Sequence, residues 1–269
     1  IVIETSHHEV AIGQHEISFE YGDALTTADN AVTMRYVVKA IAQKHGLHAT
    51  FMPKPMGGEN GSGMHVHQSF YDIKKKTNAF YDKNDEYKLS DMAKSFVAGQ
   101  LEHIKGMSAI LSPTVNSYKR LVPGYEAPVY ICWGRTNRSA LIRIPSSFKA
   151  SSKSIRTEIR SADPSCNIYL AIAVMLKAGI DGIKRNLKPP KPLEEDLYNF
   201  SDERLKKAGI DMIPASLWES LLELKKDKLL KDTLGKHTFE KYFRAKRKEW
   251  EEYSLQVTQW EIDKYLEKY

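Results

Sequence analysis

The chain has 269 residues, with 40 lysines and arginines against 34 aspartates and glutamates, and a formal net charge of +6. A chain of this length buries roughly 75% of the surface it exposes when unfolded, so it needs no disulfides to hold one large core or two unequal lobes. Two cysteines exclude a disulfide framework, and no apolar run approaches the roughly 20 residues that cross a bilayer, so we expect a cytoplasmic protein with no membrane partner.

The N-terminal segment, residues 1–18, has strand character but contains Glu9 and Glu16, where a structural core would prefer valine or isoleucine. It begins with isoleucine inside an apolar run, from which we expect a longer protein upstream. Residues 29–45 follow with apolar positions at helical spacing, and Gly46 stands where such a helix would end.

Residues 54–69 contain a glycine-rich loop, residues 57–63 (GGENGSG), followed by His65 and His67. Glycines let a backbone approach a ligand closely or adopt positive φ. In an extended segment the two imidazoles project from one face. A surface turn followed by ordinary polar residues is the alternative. Zinc usually takes three or four nitrogen or sulfur ligands, and because carboxylates predominate here, a harder ion is favoured.

The middle of the chain combines a helix with a basic strand pair. Residues 88–108 have helical periodicity, while residues 127–133 and 139–144 resemble the two strands of a hairpin with Arg135 and Arg138 in its turn. Between them, Pro123 and Gly124 form a turn signal suited to a movable flap.

Residues 155–160 alternate so that Arg156, Glu158 and Arg160 share one face of a strand. An exposed edge strand with compensating ion pairs is one explanation. The other is a cavity that holds an anion and a divalent cation, because further donors lie nearby in sequence at Arg120, Arg138, Arg143, Lys149 and Lys153. Many guanidinium groups near carboxylates and a histidine predict phosphoryl transfer.

A hard or borderline divalent cation fits the acidic residues. Oxygen ligands from Glu9, Glu16 and Glu158, with one imidazole from His65, suit Mg²⁺ or Mn²⁺ and a nucleotide co-substrate.

The C-terminal third reads as helical scaffolding. Residues 168–185 form an apolar helix, and prolines at 189, 190 and 192 place a boundary, giving a catalytic core at residues 1–190 and a helical part of the same domain at 191–269. Ser216 with Glu219 and Thr258 with Glu261 are capping-box pairs. Lysines here alternate with glutamates as on solvated helices, so we expect no nucleic-acid partner.

Five motifs occur in order along the chain: residues 9–16 (EVAIGQHE), 51–67 (FMPKPMGGENGSGMHVH), 116–128 (NSYKRLVPGYEAP), 137–139 (NRS) and 156–160 (RTEIR). Together they resemble the catalytic domain of glutamine synthetase, type I, over essentially the whole chain. The resemblance implies ATP-dependent ligation of ammonia to L-glutamate through a γ-glutamyl phosphate, with ATP, L-glutamate and ammonium as partners.

The resemblance also implies residue roles. One metal ion would be held by Glu9 and Glu16, the second by His65 and Glu158. Glutamate would contact Asn60, Gly61, Arg120, Glu126 and Arg160. ATP would contact Glu4, Tyr21, His67, Ser69, Arg138, Arg143, Lys153 and Arg156. The catalytic residues would be Glu126, Arg138 and Arg160, with Glu126 closing the site as part of the flap and taking a proton from ammonium. A plain surface-loop glutamate is the alternative for Glu126.

Members of the family also carry an upstream Glu-x-Glu metal strand and an N-terminal β-grasp domain, which these 269 residues do not include. We therefore expect this chain alone to be inactive, and the intact protein to form a ring-shaped homo-oligomer, a dodecamer of two hexamers. Tyr198 occupies the position of the regulatory tyrosine of adenylylated members, but its context differs, so we do not expect it to be modified. The interval of seven residues from Glu9 to Glu16 and the helices that contain residues 216–219 (SLWE) and 260–262 (WEI) resemble the feedback-inhibited branch.

The implied fold is α+β: a curved, largely antiparallel sheet lining a funnel-shaped site, backed by helices, with a helical C-terminal region. Two other functions stay open. A guanidino kinase also surrounds ATP with arginines, although its Mg²⁺ arrives mainly with the nucleotide. A non-catalytic scaffold or regulatory domain of the same family is the second alternative.

Overall fold

The structure, a computed structural model, describes residues 1–124, 127–145 and 152–269. The helices in these ranges are α1 (Ala24–Lys44), α2 (Asp91–Leu111), α3 (Ser117–Arg120), α4 (Ile168–Lys184), α5 (Asp202–Lys207), α6 (Leu217–Lys226), α7 (Lys228–Leu234), α8 (Lys236–Ser254) and α9 (Gln259–Tyr265). The strands are β1 (Ile3–His8), β2 (His15–Phe19), β3 (Val66–Gln68), β4 (Tyr71–Asp72), β5 (Thr77–Asn78), β6 (Tyr130–Gly134), β7 (Ala140–Arg143) and β8 (Thr157–Ile159).

The core is built around the crossing of α2 and α4. Fifteen of the 21 residues of α2 are buried, and the two helices meet at glycines. A methyl group on Gly182 would lie 2.1 Å from the Ser95 carbonyl oxygen, and one on Gly99 would lie 2.2 Å from the Ala178 carbonyl oxygen. These separations are far shorter than van der Waals contact, so the backbones touch directly because both positions lack a side chain.

The functional sheet has four strands in the order β3-β8-β7-β6. Strand β8 is central and pairs antiparallel with both β3 and β7. Glu158 is opposite His67 on β3 and Arg143 on β7. The edge-strand alternative for this segment is therefore wrong, because Glu158 is 1% exposed and its strand has a partner on each side.

The predicted hairpin of residues 127–133 and 139–144 is also wrong. Strands β6 and β7 lie side by side but parallel, with Tyr130 opposite Ala140 and Gly134 opposite Arg143. The five residues between the strands carry the chain back to the start of β6. Hydrogen bonds and packing from residues 190–197 hold this connection in place. Because these residues are distant in sequence, the local pattern of residues 127–144 could not predict the parallel pairing.

The N-terminal strands β1 and β2 form a separate antiparallel pair whose residues are mostly exposed. Helix α1 follows, and it begins five residues before the predicted Asp29. Asp23 caps it by accepting hydrogen bonds from the backbone N–H groups of Leu25 and Thr26, so the chain turns into the helix earlier than the apolar periodicity indicates.

The predicted α+β class with a largely antiparallel sheet and a helical C-terminal region is confirmed. Helices α2 and α4 lie where periodicity predicted them, displaced by a few residues at their ends. Thr258 and Glu261 form a complete capping box on α9. At α6, Ser216 accepts from the Glu219 N–H, but the Glu219 carboxylate accepts from the N–H of Ala215 instead.

The division at residue 190 stays a prediction. Buried leucines of α6 and α7 join the same hydrophobic cluster as α2 and α4. Within the described residues, no helix combines the length and apolar character needed to span a membrane.

Candidate active site

Glu158, on the central strand β8, is the most heavily paired carboxylate of the predicted site. Its Oε1 lies 3.2 Å from His65 Nδ1 and 3.2 Å from Arg160 Nη1, and its Oε2 lies 2.6 Å from Arg143 Nε. The Arg143 contact is an ion pair whose atoms are not aligned as a hydrogen bond.

Electrostatics keep this carboxylate charged. Burial acts to raise the pKa of Glu158, but the hydrogen bond and charge of His65 and the guanidinium charges of Arg160 and Arg143 outweigh it and lower the pKa to about 2. Burial, followed by the charges of Arg160 and Arg120, holds the pKa of His65 below its usual 6.5 against the opposing effect of Glu158. A neutral imidazole beside a carboxylate is the form that binds metal.

The two histidines lie on the face that the alternation predicted. His65, His67 and Ser69 are exposed, whereas Val66 between the histidines, Met64 before them and Phe70 after Ser69 pack against the core. Arg156 Nε donates to His67 Nδ1 at 3.0 Å. The protein around the ring displaces part of its water although one side stays exposed, and this desolvation, with the charge of Arg156, lowers the pKa of His67 to about 4. His67 therefore stays neutral and accepts from the guanidinium group.

A second cluster lies on the N-terminal strand pair. His7, Glu9 and Glu16 offer ligand atoms within 4.8 Å of one another. His7 Nδ1 is 3.7 Å from Glu9 Oε1, and His7 Nε2 is 3.7 Å from Glu16 Oε1. His7 was not among the predicted site residues. The signal was present, because His7 lies two residues before Glu9, which follows the end of β1, and antiparallel pairing puts His7 opposite Glu16.

Gln14 connects this cluster with the glycine-rich loop. Its side-chain N–H group donates to the Gly61 carbonyl oxygen at 3.0 Å and to Ser62 Oγ at 3.3 Å. The turn between β1 and β2 therefore rests on the loop that leads to His65. Gln14, too, was not among the predicted site residues.

These donor sets fit a divalent cation. The 3.2 Å between His65 Nδ1 and Glu158 Oε1 is close to the roughly 3 Å between neighbouring ligands of an octahedral ion with bonds of about 2.1 Å. The His7, Glu9 and Glu16 cluster is wider and exposed, with two carboxylates and one imidazole. Mixed carboxylate and imidazole ligands suit Mn²⁺, and Mg²⁺ accepts the carboxylates.

The glycine-rich loop packs directly on Arg120. A methyl group on Gly61 would lie 2.8 Å from Arg120 Cγ, and one on Gly63 would lie 2.5 Å from Arg120 Nη2. Arg120 is buried and donates to the carbonyl oxygens of Ser161 and Arg160, each at 3.0 Å. It thus supports the end of β8. Asn60 is half-buried in the same loop.

The other predicted residues are more dispersed. Arg138 is exposed in the loop before β7, and Lys153 lies in a short 3-10 helix before β8. Glu4 is on the exposed strand β1, and Tyr21 is 91% exposed between β2 and α1. Glu126 lies outside the described residues. The structure thus brings His65, Glu158, Arg143 and Arg160 into contact, and His67 with Arg156.

Comparison with known proteins gives a consistent result. A family model described as glutamine synthetase, catalytic domain, matches residues 1–265. The chain is 54% identical to a glutamine synthetase of Thermotoga maritima and 53% identical to one of Thermus thermophilus, each over 99% of its own length. It spans 60% and 59% of those proteins. A solved structure of a GmaS/ADP complex matches with a TM-score of 0.89 at 36% identity, covering 99% of this chain and 60% of that one.

Proposed function

This chain belongs to the glutamine synthetase catalytic-domain family, and on that premise we propose that it forms the larger part of an ATP-dependent glutamate–ammonia ligase. The reaction would pass through a γ-glutamyl phosphate. The observation that carries the proposal is the contact of His65, Arg143 and Arg160 with one buried carboxylate, Glu158.

Two groups of residues would hold divalent cations. Glu9 and Glu16, joined by His7, would hold one, and His65 with Glu158 would hold the other. The bound ions, Mg²⁺ or Mn²⁺, would neutralise phosphate oxygens and orient them for transfer.

The remaining residues would bind the substrates. Asn60, Gly61, Arg120 and Arg160 would hold glutamate, with Arg160 next to its γ-carboxylate. Arg138, Arg143, Lys153 and Arg156 would face the phosphates, and Glu4, Tyr21, His67 and Ser69 would lie on the ATP side. A γ-carboxylate oxygen attacks the γ-phosphorus of ATP, and the bond to the ADP oxygen breaks.

The second step forms the amide. Glu126 takes a proton from ammonium, the resulting ammonia attacks the acyl carbon, and phosphate leaves. Arg160 and the phosphate-facing arginines stabilise the negative charge that develops on the transferring group, which is the largest contribution a protein can make to phosphoryl transfer. Closure of the site by the segment that carries Glu126 would exclude water, which would otherwise hydrolyse the acyl phosphate.

The chain spans about three fifths of the length of the curated relatives that it matches. We therefore assign the complete activity, the cytoplasmic location and assembly into a ring of subunits to a longer protein containing this domain. The domain alone would bind metal weakly and form no glutamine.

The test is a glutamine assay with ATP, glutamate and ammonium on two proteins, the 269-residue chain and a version extended toward its N-terminus. We expect synthesis only by the extended protein. Arginine and creatine serve as alternative phosphoryl acceptors, because a phosphagen product would establish the guanidino kinase alternative. An extended protein that binds ADP but makes neither product would support the scaffold alternative and overturn the ligase.

Glu126→Ala in the extended protein tests the assigned proton acceptor. We expect unchanged ADP affinity, a large loss of glutamine formation and a higher fraction of ATP hydrolysed without product. Unchanged synthesis would remove Glu126 from the mechanism while leaving the ligase assignment intact.

A further inference from the structure

Residues 189–197, here called the strap, leave α4 and run along the loop between β6 and β7. Trp133 Nε1 donates to the Pro190 carbonyl oxygen at 2.7 Å, and the Leu193 N–H donates to the Trp133 carbonyl oxygen at 2.8 Å. A methyl group on Gly134 would lie 2.3 Å from the Leu193 carbonyl oxygen. Strap and strand end are thus in direct backbone contact.

Glu194 makes the densest contacts of the strap. Its carboxylate accepts hydrogen bonds from the backbone N–H of Arg135 at 2.9 Å and of Thr136 at 2.7 Å, and from Thr136 Oγ1 at 2.7 Å. Tyr87 Oη donates to it from the other side at 2.7 Å. The Arg135 guanidinium in turn covers the Tyr87 ring at 4.5 Å. Glu194 is exposed in the structure, yet both oxygens of its carboxylate accept hydrogen bonds.

The strap also fixes the residues that follow. Asn137 Nδ2 donates to the Leu193 carbonyl oxygen at 3.2 Å. The N–H of Leu197 donates to Ser139 Oγ at 3.1 Å, and that hydroxyl donates to Asn137 Oδ1 at 2.5 Å. Contacts from the strap therefore act immediately before and after Arg138, the residue between Asn137 and Ser139.

Charged oxygens accepting several N–H and O–H donors form the stronger class of hydrogen bond. Burial acts to raise the pKa of Glu194, but the hydrogen bonds from Thr136, Arg135 and Tyr87 outweigh it and lower the pKa to about 2. The carboxylate therefore keeps its full accepting capacity at any pH at which an enzyme of this kind would act.

We propose that Glu194 is a positioning residue for nucleotide use: it holds the backbone of the β6–β7 loop, and through the loop it places the Arg138 guanidinium where the phosphates bind. The inference rests on the proposed function, which assigns Arg138 to ATP. The parallel arrangement of β6 and β7 explains why a positioning residue is needed here. The five residues that connect the two strands are not held by strand pairing, so contacts from the strap fix their backbone instead.

The test is a double-mutant cycle in the N-terminally extended protein, with kcat/KM for ATP and the Kd of ADP as readouts. Glu194→Ala should lower kcat/KM for ATP by between about 10- and 100-fold, the range expected when a binding group is misplaced by about 1 Å. The double variant Glu194→Ala/Arg138→Ala should match Arg138→Ala within about twofold, since both changes remove one interaction. The KM for glutamate should stay within about twofold of the parent value.

Glu195→Ala is the matched control. Glu195 is the next residue and, within the part of the chain that the structure describes, its carboxylate pairs with Arg204 at the surface at 2.6 Å, so its removal should leave kcat/KM unchanged. Glu194→Gln keeps the side-chain volume but turns an N–H₂ group toward backbone donors, and we expect a loss between those of the parent and the alanine variant. It replaces the alanine variant in the cycle if that variant does not fold.

The outcomes separate the two hypotheses. Losses that multiply in the double variant, or a silent Glu194→Ala beside a damaging Arg138→Ala, would overturn the positioning role and leave the ligase proposal standing. If Arg138→Ala itself leaves ATP use unchanged, the nucleotide role of Arg138 fails, and the inference fails with it.

Discussion

Replacing Glu158 by glutamine should destabilise the fold even without any ligand. The side chain is 1% exposed and its carboxylate contacts His65, Arg143 and Arg160. Glutamine has nearly the same shape but no charge. The change therefore leaves the Arg160 guanidinium, whose side chain is 7% exposed, in the interior without its counter-ion.

Removing one partner of a buried ion pair costs about 3–5 kcal/mol, because the other charge stays desolvated. The Arg143 side chain is 27% exposed, so solvent screens part of the charge that remains. We therefore expect the lower end of that range, a loss of about 3 kcal/mol in the free energy of unfolding.

Urea unfolding in metal-free buffer measures this loss, and Glu9→Gln is the control. The Glu9 side chain is 32% exposed and lies 3.7 Å from His7, so its neutralisation should cost less than about 1 kcal/mol. Added Mn²⁺ should stabilise the parent by about 2.7 kcal/mol at 100 times its Kd, and both variants by less. Equal metal-free unfolding free energies for the two variants would refute this account of Glu158.

Three further changes test other parts of the fold. Gly182→Ala should lower the free energy of unfolding by more than about 2 kcal/mol, because the new methyl would lie 2.1 Å from a backbone oxygen of α2. Gly57→Ala is the control: the new methyl has nothing within 4 Å and should change the free energy of unfolding by less than about 0.5 kcal/mol. Thermal unfolding compares the two variants. Burial lowers the pKa of His103, but the hydrogen bond and charge of Asp227 outweigh it and raise the pKa above 6.5. The stability that the His103–Asp227 pair contributes is complete below pH 6.5 and is lost as the pH rises through the higher pKa of the folded chain. In urea titrations, the free energy of unfolding of His103→Gln should therefore fall less than that of the parent between about pH 6 and about pH 9. Gln14→Ala removes the two hydrogen bonds to the glycine-rich loop and should weaken Mn²⁺ binding several-fold with little change in stability, and unchanged affinity in a metal titration would show that the link is dispensable.

Local patterns predicted what depends on neighbouring residues. The alternation of residues 155–160 predicted their charges on one face of a strand, and the alternation after residue 64 predicted the two imidazoles on one face. Both agree with the structure, where the pairing of β3 with β8 puts Glu158 opposite His67 and so brings the two sets to the same side of the sheet. Which strand pairs with which depends on distant contacts. The parallel pairing of β6 and β7 requires the contacts of residues 190–197, and sequence spacing carries no trace of them.

The site was predictable to a similar degree. Residues in recognisable motifs, such as His65 and Glu158, meet as expected. Gln14 was missed because its role comes from a contact with residues 47 and 48 positions further along the chain.

The central strand has a consequence for how such a protein can evolve. Glu158 and Arg160 are two residues apart along a backbone flanked by paired strands, so their spacing is fixed by peptide geometry and cannot drift with side-chain substitutions elsewhere. New preferences among acceptors or nucleotides would have to arise in the surrounding loops, where insertions and exchanges leave that inner frame intact.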